Sequence, residues 1–557
     1  MNPAIRYAPR GFRSGPEGVV GLQSANGGFL RAAVKHRTDD VMWCSTATRQ
    51  AAADFGRAVR RLDPAVSPHH APADRPDLLA GPGLLYLADP MLPEAARLRL
   101  RAGVTAYSLC GMTHAMASAR TMRAVADLAA APVMPWDALI CTSAAVAGVV
   151  RAVLDQEFDY LRWRLGPDVR EIRPELPVLP LGLHTEDFDH LPEERGRSRQ
   201  ALGLAEDLVA ALFVGRLSHE GKAHPVAMFS ALQAVHETTG REIALIQCGW
   251  FADEAVRAAF ADATGWACPD VRVITVDGRD PAAARQAWAA ADLFVSLVDN
   301  YQESFGLTPL EAMAAGLPVV VSDWDGYRDT VRDNVDGFRI STRAPAAGAG
   351  EPIARAHEAG VLSAADYLGL TAQTVSLDQR QLAERLAALV TDAGLRAQMG
   401  AAGRRRARET FDWSVVFRQY QTLWAELEAR RRSGTDGPGL DRGQAPLACP
   451  QAPDVFTTFS GFPTRQIGGE TLAAGTDQGW TMVSRLAHHP LFRKAAGLLP
   501  PEERVLALLE VLGGGELSLA RLGSAVGLGL PETVIAAAVL AKMGVLELRD
   551  PDHNTSR

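Results

Sequence analysis

Short apolar runs recur along the chain in two successive series, with an amphipathic or Ala-rich stretch between most neighbours. The first series comprises VMWCST (41–46), LLYLADP (84–90), VTAYSLC (104–110), ALICTS (138–143) and PVLPLG (177–182). The second comprises LVAALFVGRL (208–217), IALIQCGW (243–250), VRVITVDG (271–278), LFVSLV (293–298), PVVVSD (318–323) and GFRIST (337–342). Strands that alternate with helices form largely parallel sheets covered on both faces. The break at Pro180-Leu181-Gly182 divides the pattern into two such sheets. The expected fold class is therefore α/β, with two sheet domains in succession.

A chain of 557 residues is too long for one ordinary domain, and length alone suggests about three or four. Hydrophobic content of 47% with 22% charged residues fits a soluble globular enzyme. A net charge of −8 and a pI near 5.9 argue against bulk nucleic-acid binding. Cys44, Cys110, Cys141, Cys248, Cys268 and Cys449 lack metal-ligand spacing, and several sit in strand-like runs, as reduced core thiols do. The N-terminal residues lack the apolar core of a signal peptide, and no stretch approaches 18 uninterrupted apolar residues. The expected location is cytoplasmic, with peripheral membrane contact left open.

Residues 300–331 carry the densest chemical signal: NYQESFGLTPLEAMAAGLPVVVSDWDGYRDTV. Glu303 and Glu311 flank the turn Phe305-Gly306-Leu307-Thr308-Pro309, between an apolar strand and a helical stretch. In a parallel α/β sheet this places a helix N-terminus and both acids at the carboxyl ends of strands, where ligands bind. Amides at a helix start favour anionic groups such as phosphate. Thr308-x-x-Glu311 with Pro309 between also reads as a capping box, a purely structural role for Glu311. Glu303 precedes the helix, so capping explains it less well.

This segment resembles the E-x7-E signature of retaining GT-B glycosyltransferases of family 4, the group 1 glycosyl transferases. The resemblance is strongest over residues 180–430 and implies two Rossmann-like domains facing a cleft. It implies that Glu303 lies beside the donor sugar, that Glu311 binds the ribose hydroxyls, and that the amides of Phe305, Gly306, Leu307 and Thr308 hold the distal phosphate. It implies a diphosphate clamp of Arg216 and Lys222, although Lys222 comes six residues after the Arg and precedes Ala223. An ordinary surface ion pair is the alternative for both. Gly27-Gly28 resembles the family's Gly-rich loop at a helix start facing donor and acceptor, or is simply a turn. His114, after the strand VTAYSLC, matches a histidine that relatives place near the donor sugar, or is a satisfied structural histidine. Trp324-Asp325-Gly326-Tyr327 faces the same sheet end, for substrate contact or packing. In the interdomain crossing, Gly182-Leu183-His184-Thr185-Glu186-Asp187-Phe188, His184 stands where the family has Asp.

The resemblance divides the chain into an acceptor-side domain (1–182), a nucleotide-sugar domain (183–408) and a closing helix returning to the first domain (409–432). A linker and irregular segment (433–500) follows, then a winged-helix-like or small helical domain (501–557). The candidate recognition helix of that last domain carries only Glu532 and Lys542 as charges. Protein contact is thus favoured over DNA reading, which needs cations aimed at phosphates.

The implied function is transfer of a sugar from a nucleotide-sugar donor with retention of configuration. The acceptor is unidentified: carbohydrate, lipid-linked, small molecule or protein. Catalysis falls to Glu303 and His114. The resemblance implies no cofactor or metal. Competing readings are another GT-B nucleotide-sugar enzyme, an epimerase or a phosphorylase, and a catalytically idle nucleotide-sugar-binding or assembly protein.

Overall fold

The computed structural model describes residues 2–12, 21–190, 192–433, 445–446, 449–477, 479–486, 489–513 and 515–551. Most of the expected linker, 433–454, lies outside the described residues. The chain forms two compact units, residues 1–450 and 451–557.

The first unit holds two sheets. One comprises β1 (Ala4–Arg6), β2 (Val41–Thr46), β3 (Ser67–Pro72), β4 (Leu84–Tyr86), β5 (Ser108–Met112) and β6 (Ala138–Ile140), in the order β3-β2-β1-β4-β5-β6. The other comprises β7 (Val209–Val214), β8 (Ile243–Gly249), β9 (Arg272–Asp277), β10 (Leu293–Ser296), β11 (Val319–Ser322) and β12 (Gly337–Ile340), in the order β12-β11-β10-β7-β8-β9. Every pairing in both sheets is parallel. Read from its own first strand, each sheet has the order 3-2-1-4-5-6 of a dinucleotide-binding fold. Two such α/β domains facing a cleft constitute the GT-B architecture. A short antiparallel pair, β13 (Thr342–Arg343) with β14 (Ser376–Leu377), follows the second sheet.

The second sheet follows the apolar runs closely, because β7, β8, β10 and β11 are buried on both faces and read as continuous hydrophobic segments, while the edge strand β9 is partly exposed. In the first sheet the strand expected at 104–110 begins only at Ser108. The run 177–182 is not a strand: the neighbouring chain touches the sheet edge only through single bridges, Ala138 to Glu175 and Cys141 to Val178. Two strands have no counterpart in the apolar runs. The central β1 is only three residues long, and β3 reads SPHHAP. Prolines are tolerated in β3 because it is the edge strand, where a missing N–H breaks no inner ladder.

The two domains are joined by the crossing at 182–188 and by the helix Trp413–Ser433. Leu183 N–H donates to the Phe411 carbonyl at 2.8 Å, and Trp413 N–H returns to the Leu183 carbonyl at 2.9 Å. The helix then lies against the first domain. Tyr420 Oη donates to Pro180 O at 2.9 Å, Gln421 Nε2 to His36 O at 3.0 Å, and Arg431 Nη1 to Thr105 O at 3.0 Å. Trp413 is 1% exposed, and its indole fills the space where Gly182 would carry a Cβ, only 2.3 Å from Cδ2. His184 completes the joint: its Nε2 lies 3.1 Å from the Gly28 carbonyl oxygen, and burial holds the imidazole below its ordinary pKa. His184 thus ties the crossing to the first domain.

The second unit begins at Gln451, well before the residue 501 boundary expected from sequence. Its sheet is β15 (Leu472–Gly475), β16 (Leu517–Ser518) and β17 (Leu546–Arg549), with β15 central and both pairings antiparallel. The central strand, LAAG, is too short and plain to stand out within the stretch assigned to the irregular segment. Helices Glu502–Leu512, Leu519–Val526 and Leu530–Lys542 pack around Leu508, Leu522, Leu540 and Val545.

Candidate active site

A cavity of about 820 Å³ lies between the two domains. Its second-domain wall is built from the carboxyl ends of β7, β8, β9 and β10 and the loops that follow. Between β7 and β10 the strand order reverses, which is where open α/β sheets bind ligands.

After β10 the chain turns through Asp299 and Asn300, both buried. The Asn300 side-chain amide donates to the Glu220 carbonyl, while its Oδ1 accepts Gln302 N–H at 2.8 Å. One residue thereby ties the loop carrying Lys222 to the loop carrying Glu303. The result is an ion pair: Lys222 Nζ donates to Glu303 Oε2 at 2.7 Å. The Glu303 side chain keeps 14% exposure and Lys222 32%, so both face the cleft.

The next helix, Leu307–Ala314, starts from Gly306 at φ +81°. A side chain at Gly306 would place Cβ 2.0 Å from Tyr327 Cε1, so both conformation and space demand glycine. Tyr327 is 1% exposed, and its hydroxyl lies 2.9 Å from Ser296 Oγ. It supports the helix start from beneath; the ring is packing, not a substrate contact. The capping-box reading of Thr308 and Glu311 fails here. Gly306 is the N-cap, no side chain caps the helix, and Glu311 is its fifth residue. The first amides of a helix have no intrahelical partner, and Gly306, Leu307 and Thr308 open onto the cleft with Phe305 and Glu311. Burial pushes the Glu311 carboxyl up to about 7, with Lys222 pulling the other way.

Arg216 follows β7, is exposed, and lines the same cleft. Its guanidinium lies over Gly221, where a Cβ would come within 2.6 Å of Nη2. From the first domain, His114 faces these groups. Its ring hydrogen-bonds the Ala88 backbone, and its Nε2 is buried without a partner. Burial lowers the pKa to about 4, so at neutral pH His114 presents an uncharged nitrogen acceptor.

The structure therefore brings together Arg216, Lys222, Glu303, Phe305, Gly306, Leu307, Thr308, Glu311 and His114. It does not bring in Gly27 and Gly28. These lie inside helix Gly21–Lys35 rather than at its start, and Gly28 packs beneath Trp413, its Cβ position 3.0 Å from Nε1. Gly21, Ser24 and Ala25 of that helix reach the cleft instead. Sequence reading also passed over Gly215, Gly249 and Gly278, which follow or end three neighbouring strands and leave that wall free of side chains beside Trp250 and Trp288. The signal was present: VGR, CGW and DGR end three successive apolar runs. Arg120, exposed on the first-domain wall, gave no motif.

Residues 209–354 match the family model described as Glycosyl transferases group 1. A D-inositol 3-phosphate glycosyltransferase of Geodermatophilus obscurus is 33% identical over 183 residues, 30% of this chain and 37% of the relative. A phosphatidyl-myo-inositol mannosyltransferase of Mycobacterium leprae is 28% identical over 294 residues, 52% of this chain and 60% of the relative. The matches thus span less than two thirds of either relative. Among solved structures, Anabaena HepE in complex with UDP aligns with a TM-score of 0.50 at 16% identity, covering 76% of this chain and all of that one; this likeness concerns the fold.

Proposed function

We propose that the chain is a glycosyltransferase that moves a hexosyl group from a nucleotide-sugar donor to a hydroxyl acceptor with retention of configuration and without a metal. The observation that carries this reading is the convergence, in one interdomain cleft, of Arg216, the open amides at 306–308, Glu311 and the Lys222–Glu303 pair. Departure of a nucleoside diphosphate needs cations and amides aimed at the charge that develops on it. Arg216 and the helix start supply both. Glu311 faces the ribose hydroxyls. The side-chain-free wall at Gly215, Gly249 and Gly278 receives the base.

In the resting site Lys222 and Glu303 neutralise each other. A diphosphate drawn to Arg216 competes for Lys222 and leaves Glu303 free to position the sugar and offset positive charge at its anomeric carbon. His114, uncharged, accepts a hydrogen bond from a sugar hydroxyl. In a front-face route the departing phosphate takes the acceptor's proton, so no separate base is required.

The names of the two curated relatives support a cyclitol or another polyol as acceptor. The enzyme is placed in the cytoplasm, meeting its acceptor in solution or at a membrane surface, with the winged-helix-like second unit as a protein-contact module. Incubation with a panel of nucleotide sugars and myo-inositol or its phosphate, followed by NMR of the product's anomeric coupling, tests the reading. Retained configuration is expected; an inverted product contradicts it.

A further inference from the structure

A second cavity of about 210 Å³ adjoins the first and shares only Glu303 and Ser304 with it. None of Arg216, Lys222 and Glu311 lines it, so it opens from the Glu303 end of the cleft, away from the diphosphate elements. Its two walls come from different domains. The first domain contributes Met116, Val146 and Val149, an apolar surface. The second contributes Tyr301 and Trp324, whose rings meet edge to face at 5.1 Å, with Asp325 and Arg328 as charged groups beside them. Val149 and Tyr301 stand at the mouth, 38% and 41% exposed.

The walls are held in register by bonds between the domains. Ser143 Oγ donates to Asp325 Oδ1 at 2.9 Å, and Ala144 N–H donates to Asp329 Oδ2 at 2.6 Å. Thr142 Oγ1 donates to the Ser304 carbonyl at 3.4 Å. Ser143 is the N-cap of the helix Ala144–Leu165 that carries Val146 and Val149, so Asp325 holds the capping residue and Asp329 the first helical amide. Trp324 is fixed by its Nε1, which donates to Asn300 O at 3.2 Å. Anchored aromatic and apolar walls with a few polar groups at one end are the chemistry of a small-molecule site.

We propose that this cavity seats the acceptor: a hydroxylated ring bearing an apolar or aromatic substituent, which lies between Val149 and Tyr301 while the reacting hydroxyl turns to Glu303. This rests on the transferase reading above. The acceptor oxygen forms the new bond to the anomeric carbon. The bond from that carbon to the phosphate oxygen breaks, its electron pair leaving with the diphosphate, and the hydroxyl proton passes to that phosphate oxygen. Shared access to Glu303 is what joins the two cavities into one reaction path.

The full-length protein, saturated with UDP, is titrated with phenyl β-D-glucopyranoside and with methyl β-D-glucopyranoside by ligand-observed NMR. The phenyl compound is expected to bind about tenfold more tightly. Val149→Trp, which fills the mouth from an exposed helix position, and Tyr301→Ala are each expected to weaken it about tenfold while UDP affinity stays within about twofold. Absence of phenyl glucoside binding to the wild type, or binding undiminished in both variants, overturns the proposal. Binding that depends on Val149 and Tyr301 in a chain that takes up no nucleoside diphosphate supports the cavity's ligand class and sinks the donor reading instead.

Discussion

Lys222 and Glu303, 81 residues apart, form a 2.7 Å ion pair in the cleft. The pairing gives the two residues different expected phenotypes. Lys222→Met removes a cation from the proposed diphosphate site and frees Glu303, so donor affinity should fall. Glu303→Gln removes charge at constant size and leaves Lys222 unpaired for phosphate. Turnover should then drop by about 10²-fold with donor affinity kept or raised. Steady-state kinetics with donor titrations check both. Near-normal turnover in Glu303→Gln would assign the residue a structural role.

Glu311 makes stability depend on pH. Its carboxyl is raised from 4.5 to about 7, so between these values the folded chain keeps a proton that the unfolded chain has lost. Stability therefore falls as pH rises through that window. Asp299 and Asp325, also pushed up to about 7 by burial, act in the same direction. Glu311→Gln should flatten the decline by on the order of 1–2 kcal/mol after discounting for solvent screening. Denaturant midpoints at the two ends of the window measure it, and an unchanged slope would contradict the assigned burial.

The joint between the domains is tested at Gly182. A Cβ there would sit 2.3 Å from Trp413 Cδ2, in a ring that is 1% exposed. Gly182→Ala should destabilise the first unit by about 1–3 kcal/mol, read as a lower thermal midpoint. An unshifted midpoint would mean that the closing helix does not depend on this contact.

What could be read from sequence follows from range. The strands of the second sheet and the acids of the E-x7-E segment are local patterns, legible as apolar runs and spacing. The strand SPHHAP reads as a loop because an edge position tolerates proline and histidine. Gly28 reads as a phosphate loop because nothing nearby shows that Trp413, 385 positions later, lies on it. The bond from Ser143 to Asp325 spans 182 residues, and the second cavity it supports has no sequence signature at all.

The residues of the proposed donor site all lie within the compact unit 1–450. A chain ending at residue 450 should therefore bind nucleoside diphosphate with full-length affinity while acceptor delivery, oligomerisation or partner binding changes. A folded truncation that binds none of the nucleotides recognised by the full chain would refute this independence.

Arg216 is the cation on which the proposed nucleotide-sugar site depends. Isothermal titration of UDP, GDP and ADP into the wild type and Arg216→Ala tests it most directly. One diphosphate should bind the wild type at a single site, and the variant, still folded, should bind it at least about tenfold more weakly. No binding by the wild type, or equal affinity in both proteins, would contradict the account.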